Sequence, residues 1–135
     1  MRRITLILAA LLFAGCASQE QARTNDVEQA VRDFIEVTDL HEVDHMRSDT
    51  RDRWEKIDQT FIIYSNRSQS YLVEFVRRCW ELDQLPVVPD ERHTSGRIEA
   101  RHETIRGCRI ARIFALTEAQ TAELKDLGES PGSRN

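Results

Sequence analysis

The sequence has little of what marks most enzymes and nucleic-acid-binding proteins. It contains no glycine-rich phosphate loop and no nucleophile elbow, and no pair of carboxylates stands in a recognisable catalytic setting. Its 19 lysines and arginines face 23 aspartates and glutamates, and an acidic chain is a poor candidate for binding nucleic acid. Only three cysteines are present, with no C-x-x-C pair, which disfavours a redox pair or a metal site. These absences favour a structural or binding role.

Long apolar runs are also missing, and the most hydrophobic stretch lies at the start of the chain. Residues 4–14 are apolar apart from Thr5, and the run is shorter than the roughly 20 residues of a membrane-spanning helix. Two arginines precede it, and small residues followed by Cys16 end it, as in a secretory signal. Residues 13–16, reading FAGC, resemble the signal of bacterial lipoproteins, with Phe13 where leucine is usual.

This resemblance predicts cleavage of residues 1–15 and lipidation of Cys16. A thiol at the first mature position can accept a diacylglyceryl group, and two or more acyl chains give stable membrane anchoring. Ala17 rather than aspartate follows the cysteine, which favours the outer membrane within the bacterial envelope. The alternative is a plain cleavable signal with an incidental cysteine. Cleavage would leave 120 of the 135 residues, with 17 basic against 23 acidic residues and a net charge of −6.

The two remaining cysteines, Cys79 and Cys108, are predicted to form a disulfide. An even pair in an oxidising compartment is typical of a structural bridge. The chain-entropy model gives such a bridge, closing a loop of this length, about 3.5 kcal/mol of stabilisation. A redox pair and a metal site are the competing interpretations, and the absence of C-x-x-C spacing disfavours both.

The rest of the chain predicts one small α+β domain. A polar segment without periodicity, residues 16–25, is predicted to be a flexible tether, and apolar residues at helical spacing predict a helix over 26–38. The mixed-charge run 44–56 is predicted to be a solvated face that Trp54 anchors to the core. A capping box at Thr117 and Gln120 opens a second helix that ends at Gly128. The domain is therefore 26–128, and 129–135 is predicted to be a disordered tail.

Between the helices the pattern predicts antiparallel strands. Residues 59–65 and 71–76 are rich in β-branched and aromatic residues and flank a polar loop, which predicts a β-hairpin. The loop contains Asn66-Arg67-Ser68, a match to the glycosylation acceptor that we interpret as a turn in an exported bacterial protein. Residues 97–102 and 108–116 predict further strands, with a turn at 104–107. We expect a meander of four or five strands or a partial barrel.

One motif suggests metal chemistry. His41, Glu42 and His45 match H-E-x-x-H, which on a helix places two imidazoles on one face to share a zinc ion, with the glutamate as general base. A catalytic zinc needs a third protein ligand, and the extended form of the motif fails because Ser48 and Arg51 replace its glycine and histidine. The flanks are also charged. The sequence therefore favours a helix end or a solvated turn here.

Arginines are concentrated in one region. Six lie between Arg92 and Arg112 against Glu99 and Glu103, a local excess of positive charge in an acidic domain. Such a stripe could contact anionic headgroups or an anionic glycan. The competing interpretation, which we favour, is that these arginines are the solvated faces of strands.

Several motifs together resemble an uncharacterised family of small proteobacterial lipoproteins. The resemblance covers roughly residues 54–127, and the paired cysteines are its most specific part. It implies a small β-rich domain stapled by the disulfide, and it implies no catalytic or ligand residue. The motifs are W-x-x-I at Trp54–Ile57, the strand Tyr71–Phe75, Cys79 with Leu82, Gly107-Cys108-Arg109-Ile110, and T-x-A-Q at Thr117–Gln120.

We therefore expect a lipid-anchored periplasmic envelope protein that acts as a non-catalytic structural or binding module. Its expected partners are the membrane, through the N-terminal lipid, and an envelope protein or anionic glycan, with no nucleic acid and no cofactor. The alternative is a small zinc-dependent hydrolase that uses His41, Glu42 and His45.

Overall fold

The structure is a computed structural model that describes residues 15–49, 52–84 and 96–128. The predicted signal, residues 1–15, lies almost entirely outside these residues, and the predicted tail 129–135 lies wholly outside them. No helix in the described part of the chain is long and apolar enough to cross a membrane. The elements in chain order are α1 (Gly15–Val37), β1 (Glu42–Val43), β2 (His45–Arg47), β3 (Arg53–Lys56), β4 (Phe61–Ser65), β5 (Ser70–Phe75), a 3-10 helix (Trp80–Asp83), β6 (Arg97–Glu99), β7 (Thr104–Ile105), β8 (Cys108–Leu116) and α2 (Glu118–Gly128).

The main sheet is antiparallel, with strand order β1-β8-β5-β4-β3, and β7 pairs with β8 as well. Strands β4 and β5 form the predicted hairpin, whose register places Ile63 opposite Leu72, and β3, which the sequence does not predict, pairs with β4. The next neighbour of β5 is β8, which the chain reaches only after a long excursion, and Phe114 lies opposite Leu72 on that side. Strands β2 and β6 form a separate two-stranded sheet. The predicted strand at 97–102 does not join the meander, because β6 pairs with β2. The prediction of an α+β fold is confirmed.

Both faces of the main sheet are buried. Phe61, Ile63 and Leu72 face the helices, where they pack with Val31 of α1 and Leu124 of α2. The opposite face packs against the two-stranded sheet and the 3-10 helix, through side chains that include Ile62, Val73, Met46, Ile98 and Leu82. This explains why β4 and β5 are continuous apolar runs rather than alternating ones.

The predicted disulfide is confirmed. Cys79 and Cys108 are joined, and their Cα atoms are 5.8 Å apart. Both are fully buried in the apolar cluster that lies between the main sheet and the two-stranded sheet. The bridge ties the exit of β5 to the first residue of β8. It therefore links the two strands that form the centre of the sheet.

Local sequence signals account for the turns and for the start of α2. Asn66 Oδ1 accepts hydrogen bonds from the backbone N–H groups of Ser68 and Gln69, both at 2.9 Å, which confirms the turn. The capping box is also confirmed, because Gln120 Oε1 accepts from Thr117 N at 2.8 Å and Thr117 Oγ1 accepts from Gln120 N at 3.2 Å. Arg106 and Gly107, both with positive φ, connect β7 to β8 in a two-residue turn.

Helix α1 begins eleven residues earlier than the periodicity predicts. Residues 16–25, predicted to be a flexible tether, are helical in the structure. Alanine, glutamine, glutamate and arginine dominate this stretch and are good helix formers, and no proline or interior glycine interrupts it. Residues 21–23, 25 and 26 are exposed, so intrinsic propensity rather than packing makes this part helical.

The charged run after α1 also differs from its prediction. The run 44–56 contains β2 and β3, where the sequence predicts only a solvated face, and β1 lies just before it in the segment predicted to be a helix end or solvated turn. Strands β1 and β2 obtain their hydrogen bonds from the distant strands β8 and β6, whereas β3 pairs with β4, the next strand along the chain. The outward residues of β1 to β3 are mostly charged, as is common on short or edge strands. The anchoring role predicted for Trp54 is confirmed, since its half-buried side chain packs against the cluster that contains the disulfide.

Candidate functional site

A polar groove lies at the end of the sheet where the β4–β5 hairpin approaches α2. We call it the hairpin–helix groove, and its volume is about 870 Å³. A second depression of about 500 Å³ adjoins it along β1 and shares His41, Gln69 and Ala115 with it. The main polar side chains of the groove are those of Asp39, His41, Asn66, Gln69, Thr117, Gln120 and Lys125.

The walls of the groove are held by hydrogen bonds within the protein. Gln69 Nε2 donates to Leu116 O at 2.7 Å and so ties the hairpin loop to the end of β8. Asn66 Nδ2 donates to Arg47 O at 2.9 Å, which joins the same loop to β2. On the helix side, the Lys125 ammonium lies 2.7 Å from a carboxylate oxygen of Glu55. The groove therefore has a frame held by internal hydrogen bonds, and its lining combines amide and hydroxyl side chains with the charged Asp39, Arg67, Glu118 and Lys125.

The H-E-x-x-H residues lie on or next to short strands rather than on a helix, and His41, Glu42 and His45 all line the second depression. Glu42 lies in β1, paired with β8 of the main sheet, whereas His45 lies in β2, paired with β6 of the two-stranded sheet. The helical turn that would place the two imidazoles on one helix face is absent, because β1 and β2 are joined by a bend at Asp44. Both histidines are exposed, and Glu42 pairs with Arg101 at 3.6 Å.

Within the described residues, a single group brings three metal-ligand side chains together, namely Cys79, Glu81 and Cys108. The two sulfur atoms are bonded to each other, and a metal requires thiolates. Glu81 lies 3.1 Å from Cys108 Sγ and pairs with Arg77, whose guanidinium is 2.5 Å from Glu81 Oε1. This hydrogen bond lowers the pKa of Glu81 and raises that of Arg77. The group is thus a disulfide with a neighbouring surface ion pair.

A charge network lies between α1 and the sheet, and we call it the Glu74 network. Glu74, in β5, is 6% exposed, and its two oxygens accept hydrogen bonds from Arg32 Nη1 at 2.7 Å and from Arg112 Nε at 2.6 Å. Arg32 also bonds Glu28 at 3.0 Å, and Arg78 contacts Glu28 at 3.2 Å. Since arginines occupy both oxygens, neither Glu74 oxygen is available as a general base.

The network also shifts the pKa of its helix members. Burial opposes ionisation of Glu28, but hydrogen bonds from Arg32 and Arg78 outweigh it and lower the pKa of that carboxyl. Burial likewise disfavours the charged form of Arg32. The hydrogen bonds from Arg32 to Glu28 and Glu74 outweigh this effect of burial and raise the pKa of the guanidinium. The arrangement holds helix and sheet together and presents no reactive group.

Asp58 is the most unusual carboxylate in the described residues. It is 6% exposed in the turn between β3 and β4, where its Oδ1 accepts hydrogen bonds from Thr60 N and Phe61 N, both at 2.7 Å. Its Oδ2 is buried without a hydrogen-bond partner. Burial raises the pKa of Asp58, although the two backbone hydrogen bonds oppose that change.

The predicted arginine stripe is divided among different parts of the fold. Arg92 lies outside the described residues. Arg97 pairs with Glu99 on the two-stranded sheet, Arg106 lies over the Trp54 ring, and Arg112 belongs to the Glu74 network on the helix side. Arg109 is exposed on β8. A register shift in the β5–β8 ladder next to Glu74 contributes to this division. It interrupts the alternation of side chains along β8, so that Ile110 and Ile113, three positions apart, face the same apolar cluster.

Sequence analysis did not identify the groove, Asp58 or the Glu74 network. A signal for Glu74 was present, since a single acidic residue interrupts the apolar strand 71–76 and a buried charge needs a partner. Nothing local identifies Arg32 and Arg112 as those partners, because they lie 42 and 38 positions away. The groove has no motif at all, since it is formed by segments that meet only in the folded chain.

Comparison with known proteins gives a family and no function. No curated protein and no solved structure matches the chain. The model of one family of unknown function matches residues 1–130. The chain therefore belongs to DUF6491, a family of unknown function.

Proposed function

We propose that this protein is a lipid-anchored protein of the bacterial envelope that acts as a non-catalytic binding module, with the hairpin–helix groove as its ligand face. The observation that carries the proposal is the use of the cysteines. Of three in the sequence, Cys79 and Cys108 are joined and buried, which leaves Cys16 without a cysteine partner at the end of a signal-like stretch. A disulfide is typical of an exported protein, because reducing compartments keep cysteines as free thiols.

The non-catalytic part of the proposal rests on how the charged groups are arranged. The buried carboxylate Glu74 accepts hydrogen bonds on both oxygens, and Glu42 and His45 of the H-E-x-x-H motif belong to different sheets. Amide and hydroxyl side chains line the groove together with four charged residues, and such a lining binds polar chains through hydrogen bonds. We infer an envelope protein segment or glycan as the class of ligand.

Metabolic labelling with an alkyne analogue of palmitate tests the anchor. Wild-type protein should incorporate the label and sediment with membranes, and a Cys16→Ser variant should incorporate none. A double Cys79→Ala, Cys108→Ala variant is the matched control and should label as the wild type does. Equal labelling of the Cys16→Ser variant would exclude lipidation at this cysteine.

Site-specific photocrosslinking in intact envelopes tests the groove. A photoreactive residue in place of Glu118, which lines the groove, should give a crosslinked product. The same residue in place of Glu36, exposed on α1, should give none. Lysozyme sensitivity of the product separates a glycan from a protein ligand. Equal products from both positions, or none from Glu118, would contradict the assignment of the groove as ligand face.

A further inference from the structure

Two exposed apolar side chains follow the end of β5. Val76 is 62% exposed and Trp80 is 53% exposed, and we call these two residues the Trp80 patch. Within the described residues one other large hydrophobic side chain is comparably exposed, Val37 at 84%. Exposed tryptophan is uncommon on a small acidic domain, and an indole combines apolar surface with a hydrogen-bond donor.

The segment that carries the Trp80 patch contacts, through Arg78, the part of α1 that leads to the predicted lipid anchor. Arg78, between the two patch residues, donates a hydrogen bond to Asn25 Oδ1 and pairs with Glu28 at 3.2 Å. Nine helical residues separate Asn25 from Cys16, a length of about 14 Å. Val37, at the other end of α1, lies about 18 Å farther along the helix from Asn25.

We propose that the Trp80 patch is a membrane-contact surface that seats the domain against the bilayer to which Cys16 is anchored. This inference rests on the proposed lipid anchor. Tryptophan side chains favour the membrane–water interface, where the ring is in an apolar layer and the N–H is hydrated. Anchoring keeps the patch within a short distance of the surface, so that even a weak contact is populated.

The charge of the domain defines the lipid that suits this contact. The mature chain has a net charge of −6, so anionic headgroups repel it, and Arg77 and Arg78 beside the patch are already paired with Glu81 and Glu28. The contact is therefore expected to be apolar and to occur on zwitterionic lipid. Helix α1 must lean toward the surface, because an upright spacer of about 14 Å would hold the patch beyond a headgroup layer of about 6 Å.

The test uses the full lipidated protein reconstituted into phosphatidylcholine vesicles with brominated acyl chains, which quench nearby tryptophan. A Trp54→Phe variant reports Trp80 alone, and a Trp80→Phe variant reports Trp54, which lies in β3. Relative to unbrominated vesicles, Trp80 fluorescence should fall about twofold and Trp54 fluorescence should change little. In the Trp54→Phe background, Val76→Ser should reduce the quenching, and Val37→Ser should leave it unchanged.

Flotation of the vesicles separates the failure of the inference from the failure of the anchor. Protein that floats with unquenched Trp80 would overturn the contact and leave the anchor intact. Equal quenching of both tryptophans would also overturn it, because the domain would then have no defined orientation. Protein that does not float would overturn the anchor and the contact together. A photoreactive residue at position 80 that crosslinks to protein rather than lipid would assign the patch to a protein partner instead.

Discussion

At the scale of single residues, Asp58 combines burial with an unpartnered carboxylate oxygen. In an Asp58→Asn variant the side-chain oxygen can still accept from Thr60 and Phe61, while the buried negative charge is removed. We expect the variant to have a higher free energy of unfolding than the wild type at pH 8, by about 1 kcal/mol. Urea denaturation at several pH values measures the difference.

The sign of the pH dependence follows from the direction of the pKa shift. Because the pKa of Asp58 is raised on folding, the folded state binds its proton more tightly than the unfolded state does. The wild type should therefore gain stability relative to Asp58→Asn as the pH falls through the raised pKa. Asp83 is the matched control: burial opposes its ionisation, but bonds from Lys56 and Gln59 lower its pKa. Asp83→Asn should show the opposite trend, and identical trends would contradict this account.

Glu74 is the residue on which helix and sheet converge. Replacing it by glutamine removes the carboxylate from Arg32 and Arg112, which are over a third exposed and can turn toward solvent. The expected loss in the free energy of unfolding is about 1–3 kcal/mol, below the cost of a fully buried ion pair. Glu55→Gln breaks an exposed pair with Lys125 and should cost less than about 0.5 kcal/mol. A similar loss for both variants in urea denaturation would show that the buried Glu74 ion pairs stabilise the fold no more than the exposed Glu55–Lys125 pair does.

At the scale of elements, α1 has two parts with different support. From Val27 to Ile35 its apolar side chains pack on the sheet, whereas residues 21–23 are exposed. We expect amides of residues 21–26 to exchange hydrogen about 100-fold faster than those of 31–35, because short unpacked helical segments are marginal in water. Nuclear magnetic resonance of the intact domain measures the rates, and uniform protection along α1 would contradict the division.

A pair of proline variants tests the same division through stability. Ala22→Pro should leave the free energy of unfolding within about 0.5 kcal/mol of the wild type, because it disturbs only exposed helix. Ala30→Pro, on the half-buried part of the same helix, should cost about 3 kcal/mol or more. Equal losses would mean that the exposed part of α1 contributes to the core.

The disulfide joins two strands at the centre of the sheet, and its loop spans 29 positions. Chain entropy predicts that reduction lowers the free energy of unfolding by about 3.5 kcal/mol. Urea denaturation with and without a reductant measures the change, with a Cys79→Ala, Cys108→Ala variant as the control that reductant should not affect. A wild type whose midpoint is insensitive to full reduction would contradict this expectation.

At the scale of the whole molecule, the two apolar clusters share one sheet. Neighbouring residues of β5, Leu72 and Val73, face opposite clusters, so neither cluster can lose its order while the strand stays intact. We expect single cooperative unfolding. The Trp54→Phe and Trp80→Phe variants should each show fluorescence and far-ultraviolet circular dichroism transitions at the same urea concentration. Separate midpoints for the two probes within either variant would contradict a single unit.

The sequence predicted those features whose partners lie close together along the chain. The hairpin, the Asn66 turn and α2 with its Thr117 capping box depend on residues within a few positions of each other, and periodicity predicts the packed part of α1. The disulfide was predictable by counting, because the predicted lipidation of Cys16 left one pair of cysteines. The start of α1 was predicted wrongly because helix propensity without an apolar face leaves no periodic signal.

Tertiary structure alone decided the features that depend on distant partners. Strands β1 and β2 exist because the distant strands β8 and β6 supply their hydrogen bonds, and the same pairing divides Glu42 and His45 between two sheets. The partners of Glu74, the burial of Asp58 and the shape of the hairpin–helix groove also depend on contacts between segments far apart in sequence. Local sequence thus determined which segments form a helix or hairpin, whereas the packing of both sheet faces determined where the charges are buried and where the surface remains open.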